Sequence, residues 1–351
     1  MKLGVFGLNA SSGIAMTKVP ERWAARWDDV RDVAISAESS GFDFVLPLAR
    51  WRGYGGETDP TGACYETLTF SAALSGVTNR IRLFSTIHVP FVPPAFAARA
   101  AATIDAASHG RFGLNLVCGW SLEEFRLFGI EGDRSTSRYD QGREWVEVFN
   151  RMLSDEPFGD YDGAFYRLRD AECRPTSQQR PRPPLVSAAF SPAGRAFAIR
   201  HCDILFIMHS DLERAAQQIA AAKDAARAVG RVIEVYTIAH VVCRATNREA
   251  DQYLEHYAEE MADTEAVENF ARNMAPSAPV VAKLLQVNRK KIAGGAGSAP
   301  IVGSPDTVAR LIHDIEQTGF DGLALGFVDY AREVPAFGEQ VLPQLVERRE
   351  I

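Results

Sequence analysis

Three places along this chain carry side chains that call for a specific bond or for chemistry. The first is Asn115, in the run Gly113-Leu114-Asn115-Leu116-Val117-Cys118-Gly119-Trp120. An amide buried in an apolar strand without partners costs roughly 1–3 kcal/mol, so Asn115 must bond something. The edge of a ring ligand that offers donors and acceptors would satisfy it, and so would a neighbouring backbone carbonyl; spacing leaves both open. The second place is Ser85-Thr86-Ile87-His88. Thr86 and His88 alternate with apolar residues and therefore share one face of a strand. His88 reads either as a hydrogen-bonded structural histidine or as a group that moves protons. The third is Ser187-Ala188-Ala189-Phe190-Ser191-Pro192-Ala193-Gly194, where a strand passes through small residues into a helix start. The unpaired N–H groups and partial positive charge of such a terminus hold a phosphate. Ser191 either caps that helix or adds a hydroxyl to the phosphate site, and the two uses are compatible. Arg138 and Tyr139, which open a long helical stretch, could add a guanidinium and a second hydroxyl, or lie on the surface.

These positions acquire meaning from the elements that carry them. Short runs rich in Val, Ile, Leu and Phe alternate with longer stretches of helical period along the whole chain, the pattern of a parallel sheet. Strands are expected near Leu3 to Leu8, Phe42 to Pro47, Ile81 to Ile87, Phe112 to Cys118, Leu185 to Ala188, Ile204 to Ile207, Glu234 to Val242 and Gly322 to Leu325. Helices are expected at Trp27 to Ser40, Tyr65 to Leu74, Pro94 to Ala107, Arg138 to Leu153, Ala193 to Arg200, Leu212 to Val229, Arg248 to Met261, Pro305 to Thr318 and Pro335 to Glu347. The first turn, Gly7-Leu8-Asn9-Ala10-Ser11-Ser12-Gly13, is not GxGxxG. Strand number and turn together favour a closed (β/α)8 TIM barrel over an open doubly wound sheet. All 351 residues are expected to form one domain, with insertions on the C-terminal face at about 154–184 and 263–303. The first contains a hairpin around Phe158 to Tyr166. The second contains Gly294-Gly295-Ala296-Gly297-Ser298, read as a hinge or mobile loop, so this insertion is either a lid or a plain surface loop. In such a barrel, reactive groups lie at the carboxyl ends of the strands.

Composition narrows the function. Hydrophobic residues at 46% and charged residues at 24% suit one large core. A net charge of −7 without a basic run argues against nucleic acid. The five cysteines (Cys64, Cys118, Cys173, Cys202, Cys243) are scattered, with neither CxxC nor histidines at metal-ligand spacing, so no metal site and a reducing, cytoplasmic setting are expected. No apolar stretch approaches the roughly 20 residues of a membrane span.

The run Ala101-Ala102-Thr103-Ile104-Asp105, the segment Gly110 to Trp120, then Glu123-Glu124-Phe125 and Ser137-Arg138-Tyr139-Asp140, resembles the bacterial luciferase-like flavin monooxygenases. Arg310 to Leu325, with Thr318-Gly319-Phe320-Asp321, is similar to the last βα unit of that family. Leu48-Ala49-Arg50-Trp51-Arg52-Gly53-Tyr54-Gly55-Gly56 and Phe327 to Pro343 resemble its pyrimidine and dimethylsulfone monooxygenase branch. The resemblance implies FMN, received as FMNH2 from an NAD(P)H-dependent flavin reductase. It implies O2-dependent oxidation or cleavage, through a flavin peroxide, of a sulfone, pyrimidine, cyclic amide or flavin-like ring, and assembly as a homodimer or homotetramer. It implies FMN contacts from Ala49, Arg50, Asn115, Glu124, Arg138, Tyr139 and Ser191, and an oxygen pocket in which Thr86 and Asn115 donate hydrogen bonds. His88 would serve as acid or base, or orient the substrate; Trp51, Phe91, Trp120 and Phe190 are candidates for an apolar or stacking wall, with core packing as the alternative for each. Ala49, Cys118 and Phe190 replace bulkier or more polar residues of the pyrimidine enzyme, and His88 stands where it has alanine, which leaves the substrate open. A deazaflavin-dependent dehydrogenase on the same barrel and a non-catalytic flavin-binding protein are the alternatives.

Overall fold

The computed structural model describes residues 1–119, 121–130, 138–209, 211–274 and 288–350. Eight parallel strands close into a ring: β1 (Lys2–Phe6), β2 (Phe44–Leu46), β3 (Arg82–His88), β4 (Phe112–Val117), then β7 (Leu185–Ala188), β8 (Ile204–Phe206), β9 (Glu234–Cys243) and β11 (Gly322–Gly326), which pairs back onto β1. The (β/α)8 TIM barrel expected from the alternation of elements is therefore the fold. The first insertion forms the antiparallel hairpin β5 (Gly159–Asp162) and β6 (Arg167–Ala171). No helix among the described residues is long and apolar enough to cross a membrane, and no group of three or more candidate metal ligands occurs among them.

Two apolar layers account for the architecture. Outward-facing Val5, Val45, Leu83, Leu205, Val235 and Leu323 pack against the surrounding helices. Inward-facing Phe44, Leu46, Phe84, Val186, Phe206, Tyr236 and Ile238 fill the lower lumen. Phe44 meets Phe84 edge-on, with centroids 5.8 Å apart, and Tyr236 at 5.5 Å. Facing these rings are glycines: a Cβ on Gly4 would lie 2.2 Å from Phe44, and one on Gly113 2.4 Å from Phe84. Large rings on some strands and bare backbone on their neighbours fill this layer of the barrel.

Helix boundaries follow local chemistry. Trp27–Ser40 ends at Gly41, whose φ of 97° is the left-handed conformation glycine adopts readily. Pro305–Gln317 begins at the expected Ser304 cap, with Pro305 in the first turn. The last helical region starts earlier than Pro335, at Tyr330, because Asp329 caps Tyr330–Gln340 through the Arg332 amide. The stretch expected as one helix from Arg248 to Met261 is α-helical over Asn247–Glu255 and continues as a π turn over His256–Glu260.

The glycine-rich segment is a correction. Gly294 and Gly295 end the helix Arg289–Gly295, and β10 (Ala299–Gly303) follows as a ninth strand parallel to β9. A Cβ on Gly295 would sit 2.3 Å from His240 Nδ1. These glycines lie at a helix end packed closely against a barrel histidine, where a hinge or mobile loop was expected. Of the 263–303 insertion, 275–287 lies outside the described residues, and the proposed lid falls partly on it.

The floor packing predicts a large response to a small change. Gly4→Ala should lower unfolding free energy by about 1–3 kcal/mol, the usual range for overpacking a filled core. Urea denaturation would show a lower midpoint, and Phe44→Leu in the same chain should recover much of it.

Candidate active site

Strands β3 and β4 run side by side with Thr86 opposite Asn115. Phe84 faces the lumen, so Thr86 and His88, two and four residues on, do so as well. Asn115 Nδ2 donates to Thr86 Oγ1 at 3.1 Å, and the Thr86 hydroxyl donates to the Pro47 carbonyl at 2.5 Å. The single hydroxyl proton of Thr86 is thus used on the backbone, which fixes the Asn115 amide with its nitrogen toward Thr86. Asn115 Oδ1 remains buried without a hydrogen-bond partner. The Thr86 proton and one of the two Asn115 Nδ2 protons are thus engaged within the protein in this arrangement. What the pair offers a ligand is the Asn115 Oδ1 acceptor, suited to the N–H edge of a ring, and the second Asn115 N–H.

A second cluster crosses the mouth beside it. Ser121 caps the short helix Leu122–Leu127, which brings Glu124 inward. Arg50 Nη1 lies 3.1 Å from Glu124 Oε1, which also accepts from the Trp51 amide at 3.1 Å. The Arg50 guanidinium stacks 4.7 Å from the centre of the Tyr54 ring. His88 Nε2 stands 3.6 Å from Glu124 Oε2, and the side chains of Arg50, Glu124 and His88 are 5%, 1% and 3% exposed. Burial raises the Glu124 carboxyl pKa while Arg50 and the Trp51 amide oppose the rise. Burial, aided by Arg50, pushes His88 down to about 3, so the ring is neutral near pH 7. Ala49, Arg50, Thr86 and His88 line one cleft with Trp51 and Phe91.

The cleft has an aromatic rim that sequence reasoning identified only in part. Phe91 stacks on Phe128 at 4.2 Å and 14°, and Trp51 meets Phe128 edge-on at 4.9 Å. Phe125 packs edge-on against Phe91 at 5.5 Å. Phe125 and Phe128 were legible only as neighbours of Glu124. Phe190 is 48% exposed and does not line this cleft, so its expected place in the wall is not observed. Trp120 lies outside the described residues.

The third cluster lies at a helix N-terminus. Ser191 Oγ accepts from the Gly194 amide at 3.1 Å as N-cap of Pro192–His201, and Tyr139 OH lies 3.1 Å from the same oxygen. A Cβ on Gly194 would come within 2.6 Å of Tyr139 OH, so glycine is what lets the two hydroxyls converge. Arg138 donates to the Gly119 carbonyl at 3.1 Å and lies 5.0 Å from the Tyr139 ring centre; its Nε is buried without a hydrogen-bond partner among the described residues. Asn115, Gly119 and Glu124 all belong to β4 and the segment after it, so one stretch of chain links this cluster to the polar groups at the lumen.

The luciferase-like monooxygenase profile matches residues 1–322 of this chain. The chain belongs to the luciferase-like monooxygenase family. A pyrimidine monooxygenase, RutA, of Variovorax paradoxus (strain S110) is 32% identical over 356 residues, covering 99% of this chain and 95% of the relative. A riboflavin lyase (RcaE), solved with modified FMN and riboflavin, superposes with a TM-score of 0.88 at 22% identity, over 99% of this chain and 92% of that one. DmoA from Hyphomicrobium sulfonivorans superposes with a TM-score of 0.86 at 19% identity, over 99% and 88%. This luciferase-like monooxygenase is accordingly an oxidoreductase.

Sequence reasoning missed two further buried histidines. His240, on the lumen side of β9, bonds Ser298 Oγ through Nδ1 at 2.9 Å, and His209 Nδ1 pairs with Thr237 Oγ1 at 2.9 Å. Neither has a sequence signal beyond its type. Burial lowers His240 to about 3 and His209 to about 4.

With His88 and the half-buried His201, these are four histidines whose folded pKa lies below the ordinary value of 6.5. The unfolded chain binds protons there that the folded chain does not, so stability should be full above about pH 6.5 and fall progressively toward pH 4. Denaturation series at several pH values would show this slope, and His88→Asn should flatten it. Arg50→Met should cost about 3–5 kcal/mol by leaving the Glu124 charge buried alone, and the double variant Arg50→Met/Glu124→Gln should regain a large part.

Proposed function

We propose that this enzyme is the oxygenating component of a two-component system: it takes up FMN reduced by an NAD(P)H-dependent flavin reductase and uses O2 to oxidise a small organic molecule. The observation that carries the reading is the pairing of an anion cluster at a helix N-terminus with an orphaned acceptor, Asn115 Oδ1, linked through β4 and its loop. These features fit a phosphorylated cofactor whose ring edge carries an N–H.

Arg138, Tyr139 and Ser191 would hold the phosphate. Asn115, oriented by Thr86, would accept from the ring, with Ala49 and Arg50 alongside it and Glu124 holding Arg50 in place. When bound, reduced flavin supplies the electrons that activate O2. The chain's own part is to orient the ring, exclude water by the filled barrel floor and present His88 toward the substrate, which reaches the cleft past Trp51, Phe91 and Phe128. The setting that suits this reading is the cytoplasm, with the chain as a homodimer or homotetramer.

Loss of a hydrogen bond to a charged group costs about 1.5–3 kcal/mol. Arg138→Ala and Ser191→Ala should therefore each weaken FMN binding by about tenfold or more, while leaving riboflavin, which lacks the phosphate, nearly unaffected; flavin fluorescence quenching measures both. After an O2 pulse onto FMNH2-loaded protein, reoxidation of the bound flavin followed by absorbance should differ from that of free FMNH2 in the wild type, and this difference should be lost in Asn115→Ala. Flavin binding with reoxidation unchanged from free FMNH2 would favour a hydride-transferring dehydrogenase or a binding protein.

A further inference from the structure

In the motif Arg50-Trp51-Arg52-Gly53-Tyr54-Gly55-Gly56, Arg50 and Trp51 line the cleft, whereas Tyr54, Gly55 and Gly56 pack against the second insertion. The contact is with the helix Thr264–Met274. Asp263, 3% exposed, precedes that helix: its Oδ1 accepts from the Ala266 amide at 3.2 Å, and its Oδ2 from the amide and hydroxyl of Thr58 at 2.7 and 2.8 Å. One carboxylate thus caps the helix and ties it to the loop that carries the motif. Gly56 has a φ of 76°, and a Cβ there would lie 2.3 Å from Asp263 Oδ1, so glycine is what admits this approach. Further along the helix, Asn269 Nδ2 donates to the Tyr54 carbonyl at 2.8 Å, and Phe270 meets the Tyr54 ring edge-on at 5.1 Å. The same ring, on a buried side chain, carries the Arg50 guanidinium 4.7 Å from its centre.

We infer that the helix Thr264–Met274 sets where Arg50 stands at the mouth, and that Tyr54, held by Asn269 and Phe270, is the positioning residue through which it acts. An arginine side chain has several rotatable bonds, and confining it costs entropy that fixed partners must offset. Glu124, 3.1 Å away, holds the charge at one point. The Tyr54 ring holds its plane, and the attraction of a guanidinium to a ring face is stronger where water is excluded. That ring is in turn fixed at its backbone by Asn269 and at its edge by Phe270. Neither Asn269 nor Phe270 lines the cleft. The described part of the insertion is therefore a buttress of the active site that works two contacts away from it. The consequence for the cofactor rests on the proposed function: Arg50 lies beside the flavin ring there, so loosening the helix should weaken flavin binding from a distance.

The test has two arms. In flavin-free protein labelled with 15N-arginine, the Arg50 Nε–H resonance, assigned by its absence in Arg50→Met, should lie upfield of ordinary arginine signals because of the ring it stacks on. Tyr54→Phe, which keeps the ring, should preserve that position, whereas Tyr54→Leu, Asn269→Ala and Phe270→Leu should move the signal toward the ordinary range. An unchanged resonance in both helix variants would overturn the inference. In the second arm, flavin fluorescence quenching measures FMN affinity. Asn269→Ala and Phe270→Leu should each weaken it by about threefold or more, the scale of a weakened cation–π contact. In the Arg50→Met background neither should have a further effect, because their influence runs through Arg50. Equal losses in both backgrounds, as a general loosening of the fold produces, or no loss in either, would overturn the inference. Should Phe270→Leu fail to fold, Asn269→Ala decides both arms. Failure of the wild type to take up FMN would instead overturn the proposed function, and the Arg50 resonance would still decide what the helix does.

Discussion

The contact between Arg50 and Glu124 joins the chain after β2 to the chain after β4, and the mouth of the barrel is arranged around it. A buried ion pair adds little net stability compared with apolar side chains of similar size, because both charges must leave water. Its consequence here is positional. Glu124 Oε1 is committed to Arg50 and the Trp51 amide, which turns Oε2 toward His88. The same pair draws in the helix Leu122–Leu127, and with it Phe125 and Phe128, which complete the aromatic rim against Phe91 and Trp51.

Below this pair, Phe44, Phe84 and Tyr236 fill the lumen against glycine backbone. Polar residues that point inward above that layer are each answered by a neighbour or left as a specific orphan. His240 has Ser298, Thr86 has Pro47 and Asn115 has Thr86, whereas Asn115 Oδ1 and His88 Nδ1 have no partner. In a medium where an unmet acceptor is costly, Asn115 Oδ1 is the atom best suited to a donor from a ligand.

Much of the scaffold was legible in the chain itself. Trp27–Ser40, Pro94–Ala107 and Arg138–Leu153 occur with the boundaries expected from apolar period, since each buries one face and has clear start or stop residues. The ring of strands followed from the same alternation. Errors arose where a residue type has two uses. Gly294 and Gly295 signal flexibility by themselves, but here they make room for His240. Pro335 usually opens a helix, yet it lies within one because Asp329 supplies an earlier cap. Phe190, apolar and beside Ser191, was expected in the wall, but it is turned to solvent.

By itself the sequence determined that a parallel barrel would form, and which strand ends would carry Thr86, His88, Asn115 and Ser191, because hydrophobic period and capping are local properties of the chain. Only the tertiary structure decided what those side chains do to one another. Whether Thr86 offers its proton to a ligand depends on the Pro47 carbonyl, 39 residues away in the chain. Whether Glu124 meets a flavin or His88 depends on Arg50, brought across the mouth from another strand end. Hydrogen bonds and ion pairs are matters of a few tenths of an ångström between distant segments, and linear order does not encode those distances directly.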